Sequence, residues 1–219
     1  RIMINALSNS WLATSLLDVI LPQEPWKHWQ LPVQASTFAA GHDALYVFVE
    51  WTCYFFFFGI MGVLLYSVIK YRRKTEDQPP ASFVTHHTAI EVTWTVGPLI
   101  ICMIIFAWGW KDMSNMLLAP ADSLQYEVRA KRWSWGIKHP KSNEWTDNEI
   151  WVPINEPCQL TMSSADVLHS FFVPAFRVKR DVLPGRYQTV WFEATVLGDY
   201  RLFCTEYCGK SHSAMVGIV

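Results

Sequence analysis

The chain of 219 residues is 51% hydrophobic, holds 12 tryptophans, and is only 17% charged. That composition is too apolar for an ordinary soluble domain and too rich in aromatics for a disordered one. A formal net charge of −1 implies no general attraction to nucleic acid, which is excluded as a partner class.

Residues 2–21 are apolar but broken by Asn5, Ser8, Asn9, Ser10 and Asp18. They lack a basic flank followed by a continuous apolar core, and read as an interfacial or partner-packed segment rather than a signal peptide. The first residue is Arg1, so further residues are expected upstream. After Pro22, Pro25 and Pro32 comes Gly41-His42-Asp43, and then Ala44 to Ile69 with a single charge, Glu50. Some twenty apolar residues cross a bilayer as a helix, and the longer run here leaves room for tilt or protrusion. Exposure of a carboxylate to lipid is costly, so Glu50 is expected near the interface or against a partner protein.

Lys70, Arg72, Arg73 and Lys74 end this span on the cytoplasmic side by the positive-inside bias. A linker with Pro79-Pro80 and His86-His87 follows. The two histidines have no cysteine or second histidine cluster beside them, and read as a helix start or interface rather than a metal site. Thr93 to Trp110 forms a second apolar run, closed by Lys111 and Asp112, with Gly97 and Pro98 loosening its first turns. Two spans return the chain to its starting side, which places the amino terminus and everything after Met113 outside the cytoplasm.

Past Met113 the pattern changes to alternation of period two. It appears in Leu124-Gln-Tyr126-Glu-Val128-Arg and Gln188-Thr-Val190-Trp-Phe192-Glu-Ala194. Short runs at Trp151-Val152, Leu160-Thr-Met162 and Phe171-Phe-Val173 are separated by Pro, Gly, Asn and Asp. Together they predict a small antiparallel sandwich or barrel. The expected division is an amino-terminal extracytoplasmic or interfacial segment over 1–41, a transmembrane hairpin over 42–112 with its cytoplasmic loop at 70–91, and a β domain over 113–219. Of five cysteines, Cys53 and Cys102 lie in the apolar runs and read as packing residues, while Cys158 reads as a buried free thiol at a strand start.

The densest chemistry lies in Cys204-Thr-Glu206-Tyr-Cys208-Gly-Lys-Ser-His212-Ser-Ala-Met215, with His169 upstream in Asp166-Val-Leu-His169-Ser170. Two cysteines alone would fit a disulfide or a buried pair, and two thiolates with two imidazoles could serve one tetrahedral zinc. The zinc reading leaves Met215 unused, whereas thiolate with thioether selects softer metals such as copper.

At these residues the sequence resembles subunit II of the haem-copper cytochrome c oxidases. The resemblance extends to Thr88-Ala-Ile-Glu91-Val-Thr-Trp94-Thr-Val-Gly-Pro98 and to Phe176-Arg-Val-Lys-Arg-Asp181-Val-Leu-Pro184-Gly185-Arg186. It implies two transmembrane helices followed by a cupredoxin-like domain holding the binuclear copper centre called CuA. The implied ligands are the thiolates of Cys204 and Cys208, the imidazoles of His169 and His212, the Met215 thioether and the Glu206 carbonyl. The Glu206 carboxylate would reach a magnesium ion shared with subunit I, whose remaining ligands come from that partner and water. Trp133 is implied as the residue receiving electrons from a c-type cytochrome, and Glu91 as the mouth of a proton path into subunit I. The plain alternatives are a packed tryptophan and a helix-capping carboxylate.

The resemblance further implies a terminal oxidase, with subunits I and III as partners, in a bacterial-type inner membrane or an equivalent energy-transducing one. Oxygen is then reduced to water at haem in subunit I, with proton translocation. A nitrous oxide reductase copper domain, a copper-free quinol oxidase subunit II and a single-copper carrier are the alternatives. The sequence departs from the family at Ser134, where an aromatic is usual, and at Lys131, Arg132, Lys138 and Lys141, where acidic residues are common. A lysine-ringed cytochrome c would be steered poorly to such a face. The expected donor is therefore a different or tethered cytochrome, or a membrane complex beside the oxidase. The family continues past the position of Val219, so a further cytochrome c domain there stays open.

Overall fold

Helix α1 runs over Ala39–Lys70 and helix α2 over Thr88–Leu117 in a computed structural model that describes residues 30–79 and 82–219. The interfacial segment expected over 2–21 lies outside the described residues. Each helix holds an 18-residue stretch of mean hydropathy 2.0 that is not buried by the rest of the chain. A helix apolar all round needs an apolar surround. At 1.5 Å per residue the 32 residues of α1 span about 48 Å, more than the hydrocarbon thickness of a bilayer.

Each helix is longer than its apolar run. At α2 the reason is capping: the Nδ1 of His87 accepts from the Ile90 N–H at 3.5 Å, and Glu91 Oε1 accepts from the His87 N–H at 3.1 Å. Orphan donors at the helix start are thereby satisfied. At its other end α2 continues past Trp110 to Leu117, with Ser114 Oγ donating back to the Trp110 carbonyl at 2.8 Å. The helices meet near Phe48 and Trp108, whose rings lie 6.0 Å apart. Cys53 and Cys102, expected as packing residues, are exposed, because no other part of the described chain reaches those faces.

Nine strands follow: β1 Leu124–Lys131, β2 Ser134–Lys138, β3 Trp145–Asp147, β4 Pro157–Ser164, β5 His169–Val173, β6 Val178–Val182, β7 Gln188–Glu193, β8 Arg201–Cys204 and β9 Val216–Ile218. They form one sheet in the order β3-β2-β1-β4-β7 and a second in the order β6-β5-β8-β9. Period-two alternation turns Tyr126, Val128 and Ala130 of β1 and Cys158, Leu160 and Met162 of β4 inward. They meet Phe171, Val173 and Leu202 from the facing sheet in one buried core. Each large apolar side chain so buried contributes about 1.5–3 kcal/mol. Burial pushes the Cys158 thiol up to about 11, in keeping with a free packing cysteine.

Two strand expectations are corrected. The sandwich is not wholly antiparallel: β1 and β4 pair in parallel, from Leu124 opposite Cys158 to Ala130 opposite Ser164. The meander β2-β3 occupies one flank of β1, so the chain returns to the other flank running in the same direction. Trp151-Val152 is not a strand but part of that return loop, with Trp151 strongly exposed.

The stretch before α1 is woven into the sandwich. Ala35 donates to the Ala175 carbonyl at 3.0 Å and accepts from the Thr195 N–H at 2.9 Å, and Ser36 Oγ donates to the Phe176 carbonyl at 2.7 Å. Arg177 then holds the top of α1. Its Nε and Nη2 donate to the two Asp43 carboxylate oxygens at 2.7 and 2.8 Å, and its remaining donors reach the carbonyls of Pro32, Val33 and Pro174.

Candidate metal centre

Pairing of β5 with β8 sets Phe171 opposite Cys204, so that His169, two residues before Phe171, shares a face with the end of β8. The chain then loops out from Thr205 and returns as β9, and the Cys204 N–H donates to the Met215 carbonyl at 3.2 Å to close the loop. Thr205 donates to the Ser170 carbonyl at 3.0 Å, which ties the loop to β5. Gly209, at φ +127°, takes a backbone angle that side-chain-bearing residues avoid, and a 3₁₀ turn at His212–Ala214 turns the chain inward again.

The loop brings its donors together. Cys204 Sγ lies 3.8 Å from His169 Nδ1 and 3.8 Å from Cys208 Sγ, and 3.3 Å from the Glu206 carbonyl oxygen. Cys208 Sγ lies 3.5 Å from His212 Nδ1 and 3.9 Å from Met215 Sδ. His169, Cys204, Cys208 and Met215 are buried, and His212 is half-buried. The nearest donor atoms of His169, Cys204 and Cys208 all fall within 4.8 Å of one another. Burial and the neighbouring Cys204 sulfur push the Cys208 thiol up to about 11, so a bound cation would have to displace its proton.

His169 is oriented from behind. Its Nε2 lies 2.9 Å from Asp166 Oδ1, which leaves Nδ1 facing the Cys204 sulfur. Asp166 also accepts from the N–H groups of Arg132 at 2.8 Å and Val167 at 2.6 Å. Burial pushes its carboxyl up, but these hydrogen bonds win and hold it at about 2. On the other side, the buried ring of Trp135 lies 6.1 Å from that of His169 and 5.5 Å from Phe171, walling the imidazole from solvent. Four donors around two cysteine sulfurs make six in all, more than one closed tetrahedral zinc site uses, and the set fits soft metal instead.

Residues 131–219 match the family model for the periplasmic domain of cytochrome c oxidase subunit II, and residues 24–111 match that for its transmembrane domain. The chain belongs to the cytochrome c oxidase subunit II family. It is 25% identical over 238 residues to cytochrome c oxidase subunit 2 of Synechocystis sp., covering 87% of this chain and 71% of that one. It is 29% identical to the Cereibacter sphaeroides protein of the same name, with coverage of 70% and 62%. For the Alkalihalophilus pseudofirmus protein the identity is 30%, with coverage of 71% and 47%. The chain thus spans between about half and two thirds of the length of the latter two relatives. Among solved structures, the periplasmic domain of subunit II of cytochrome oxidase from Bradyrhizobium japonicum is 32% identical, with a TM-score of 0.44, over 46% of this chain and 85% of that one. Membership makes the chain a subunit of an oxidase and a membrane protein, with its sandwich as the family's cupredoxin-like domain.

Of the other residues singled out in the sequence, Trp133 sits in the turn between β1 and β2, 37% exposed. Its ring covers Gly209: a Cβ there would lie 3.5 Å from the indole Nε1 and Cζ2. Strand alternation would put Trp133 and Trp135 on one face, yet β2 begins only at Ser134, so one ring points out and the other in. Of the four cations expected near Trp133, only Lys131 and Arg132 flank it. Lys138 is at the far end of β2, opposite Glu127, about 13 Å along the strand, with Lys141 beyond it. Glu91, on α2, is remote from the sulfur cluster, and the Glu206 side chain is exposed. The roles of Trp135 and Gly209 as walls of the site went unread in the sequence. The only available signals were a second tryptophan two residues from the first and a glycine directly after a cysteine.

Proposed function

We propose that the chain is the electron-accepting subunit of a haem-copper oxidase, with a binuclear copper centre on His169, Cys204, the Glu206 carbonyl, Cys208, His212 and Met215. The observation that carries this reading is the convergence of both imidazoles, the thioether and the carbonyl on the two cysteine sulfurs in one buried loop. His169, Cys204, the Glu206 carbonyl, Cys208, His212 and Met215 would hold the coppers, which would supply a one-electron redox store there. The chain's own part is to hold donors in place: Asp166 orients His169, Trp135 and the loop exclude water, and Trp133 offers an exposed ring against the loop backbone. The six donors argue against a copper-free quinol oxidase subunit, and the two long apolar helices against a nitrous oxide reductase domain.

On this reading electrons come from a c-type cytochrome through Trp133 and pass to haem in subunit I, where O2 is reduced to water with proton translocation. Subunits I and III are partners. The exposed Glu206 carboxylate would supply one ligand to a magnesium ion shared with subunit I. Glu91, at the start of α2, is the mouth of a proton path as well as a helix cap. Residues 1–41 lead in, 42–112 anchor the chain with the 70–91 loop in the cytoplasm, and 113–219 form the copper domain outside it. Two features support that orientation: the basic cluster between the spans, and the hydrogen bonds that keep Ala35 and the sandwich on one side of the membrane.

The test is metal analysis and electron paramagnetic resonance on the detergent-solubilised full chain. Two coppers per chain with a mixed-valence signal are expected, and Cys208→Ser should abolish both. A single copper, or stoichiometric zinc without zinc excess, overturns the binuclear reading.

A further inference from the structure

The surface over the sulfur cluster carries an unusual pairing of an exposed ring with uncommitted cations. Trp133 lies on Gly209, the residue after Cys208, so its exposed indole adjoins the backbone of the sulfur loop. Lys131 and Arg132 immediately precede this ring and Lys210 immediately follows the glycine. All three are exposed, and none has a carboxylate within ion-pair distance among the described residues. Leu168 and Tyr207 expose apolar area on the adjoining loops.

The carboxylates nearby do not offset these charges evenly. Asp166 is 30% exposed at its side chain, with its oxygens against Arg132 N–H, Val167 N–H and His169, and it keeps its negative charge. Asp147 lies across β2 at Gly136, three residues on from Trp133. Glu206 is exposed, but the proposed function gives it to the membrane partner. With Glu206 given to the membrane partner, the three cations Lys131, Arg132 and Lys210 outnumber the two carboxylates Asp166 and Asp147 on this side of the loop. Lys and Glu on a rim act mainly by steering diffusional encounter.

We propose that the electron donor docks on this rim through an acidic face, with Lys131, Arg132 and Lys210 meeting carboxylates that surround the donor's redox group. This rests on the reading of the loop as the electron-accepting copper centre. It commits to a donor of one kind, a protein or tethered domain whose haem edge is ringed by Asp and Glu. Three cations on one side attract it, and the exposed Trp133 gives the contact its tunnelling path.

The experiment uses the purified oxidase complex and follows bleaching of the copper absorption in stopped flow. The donors are one strongly acidic and one strongly basic soluble c-type cytochrome, each at low and high salt. Tetramethyl-p-phenylenediamine, uncharged at mildly alkaline pH, serves as a reductant that needs no docking. The acidic cytochrome should react faster, with a rate that falls on the order of tenfold as salt rises. Combined Lys131→Glu, Arg132→Glu and Lys210→Glu should reverse the preference and leave the copper band and the phenylenediamine rate unchanged. An intact copper band with a salt-suppressed preference for the basic cytochrome overturns the rim alone. So does a triple variant whose rate with the acidic donor is unaltered. A complex with no copper band overturns this inference together with the function on which it rests.

Discussion

Asp166 accepts from Arg132 at the Trp133 turn and from His169 at the sulfur cluster, so one carboxylate fixes two loops. Asp166→Asn keeps the size but gives up the charge and one acceptor. Partners that orient a metal ligand typically contribute about 10–100-fold in affinity, and a chelator should strip copper from the variant faster by that order. The check is decay of the copper band against time in chelator, and equal decay in variant and wild type would leave Asp166 without an orienting role. At this scale the donors themselves were legible, since Cys, His and Met at close spacing have little other use in common. The support was legible only in part: Asp166, three residues before His169, reads from the sequence as support for the copper loop, but its bond to Arg132 does not. Arg132 and Asp166 are 34 residues apart, and no local pattern says that a backbone N–H on one loop will meet a carboxylate on another.

Elements join where Arg177 grips Asp43. The guanidinium is 5% exposed, and its fork bonds both carboxylate oxygens while the carbonyls of Pro32, Val33 and Pro174 take the remaining donors. Removing one member of a buried pair strands the other charge, at a cost of about 3–5 kcal/mol. Arg177→Ala should therefore lower the melting temperature of the sandwich in detergent well below that of the double variant Asp43→Ala/Arg177→Ala. A double-mutant cycle on thermal unfolding measures the coupling, and additive losses would show the pair to be energetically inert. Helices and strands were readable here because apolar length and period-two alternation are local. The parallel pairing of β1 with β4 was not, because alternation marks which face a residue takes and is silent on strand direction. Trp151-Val152 failed for a related reason: two apolar residues without a partner strand make an exposed loop.

In the whole molecule the sulfur cluster and Glu91 lie on separate parts of the chain, one in the sandwich and the other at the far start of α2. If Glu91 has the proton role of the proposed function, a change there should affect protons without touching electrons. Glu91→Gln keeps an oxygen for the His87 N–H, so the cap survives. Oxygen reduction by the complex should slow severalfold while stopped-flow reduction of the copper band by its donor stays the same, and unchanged turnover would reduce Glu91 to a cap. The weaving of Ala35 and Ser36 into the sandwich bears on how the molecule is made. Ser36 waits for Phe176, 140 residues later, and both membrane helices are synthesised in between. Until then β7, the last strand of its sheet, lacks the segment that lies along its end at Ala194. A hairpin threaded the wrong way would leave the two halves of this clasp on opposite sides of the bilayer. The open sheet margin is then a surface that proteases and chaperones recognise. Closure of the clasp thus ties completion of the sheet to correct insertion of the hairpin.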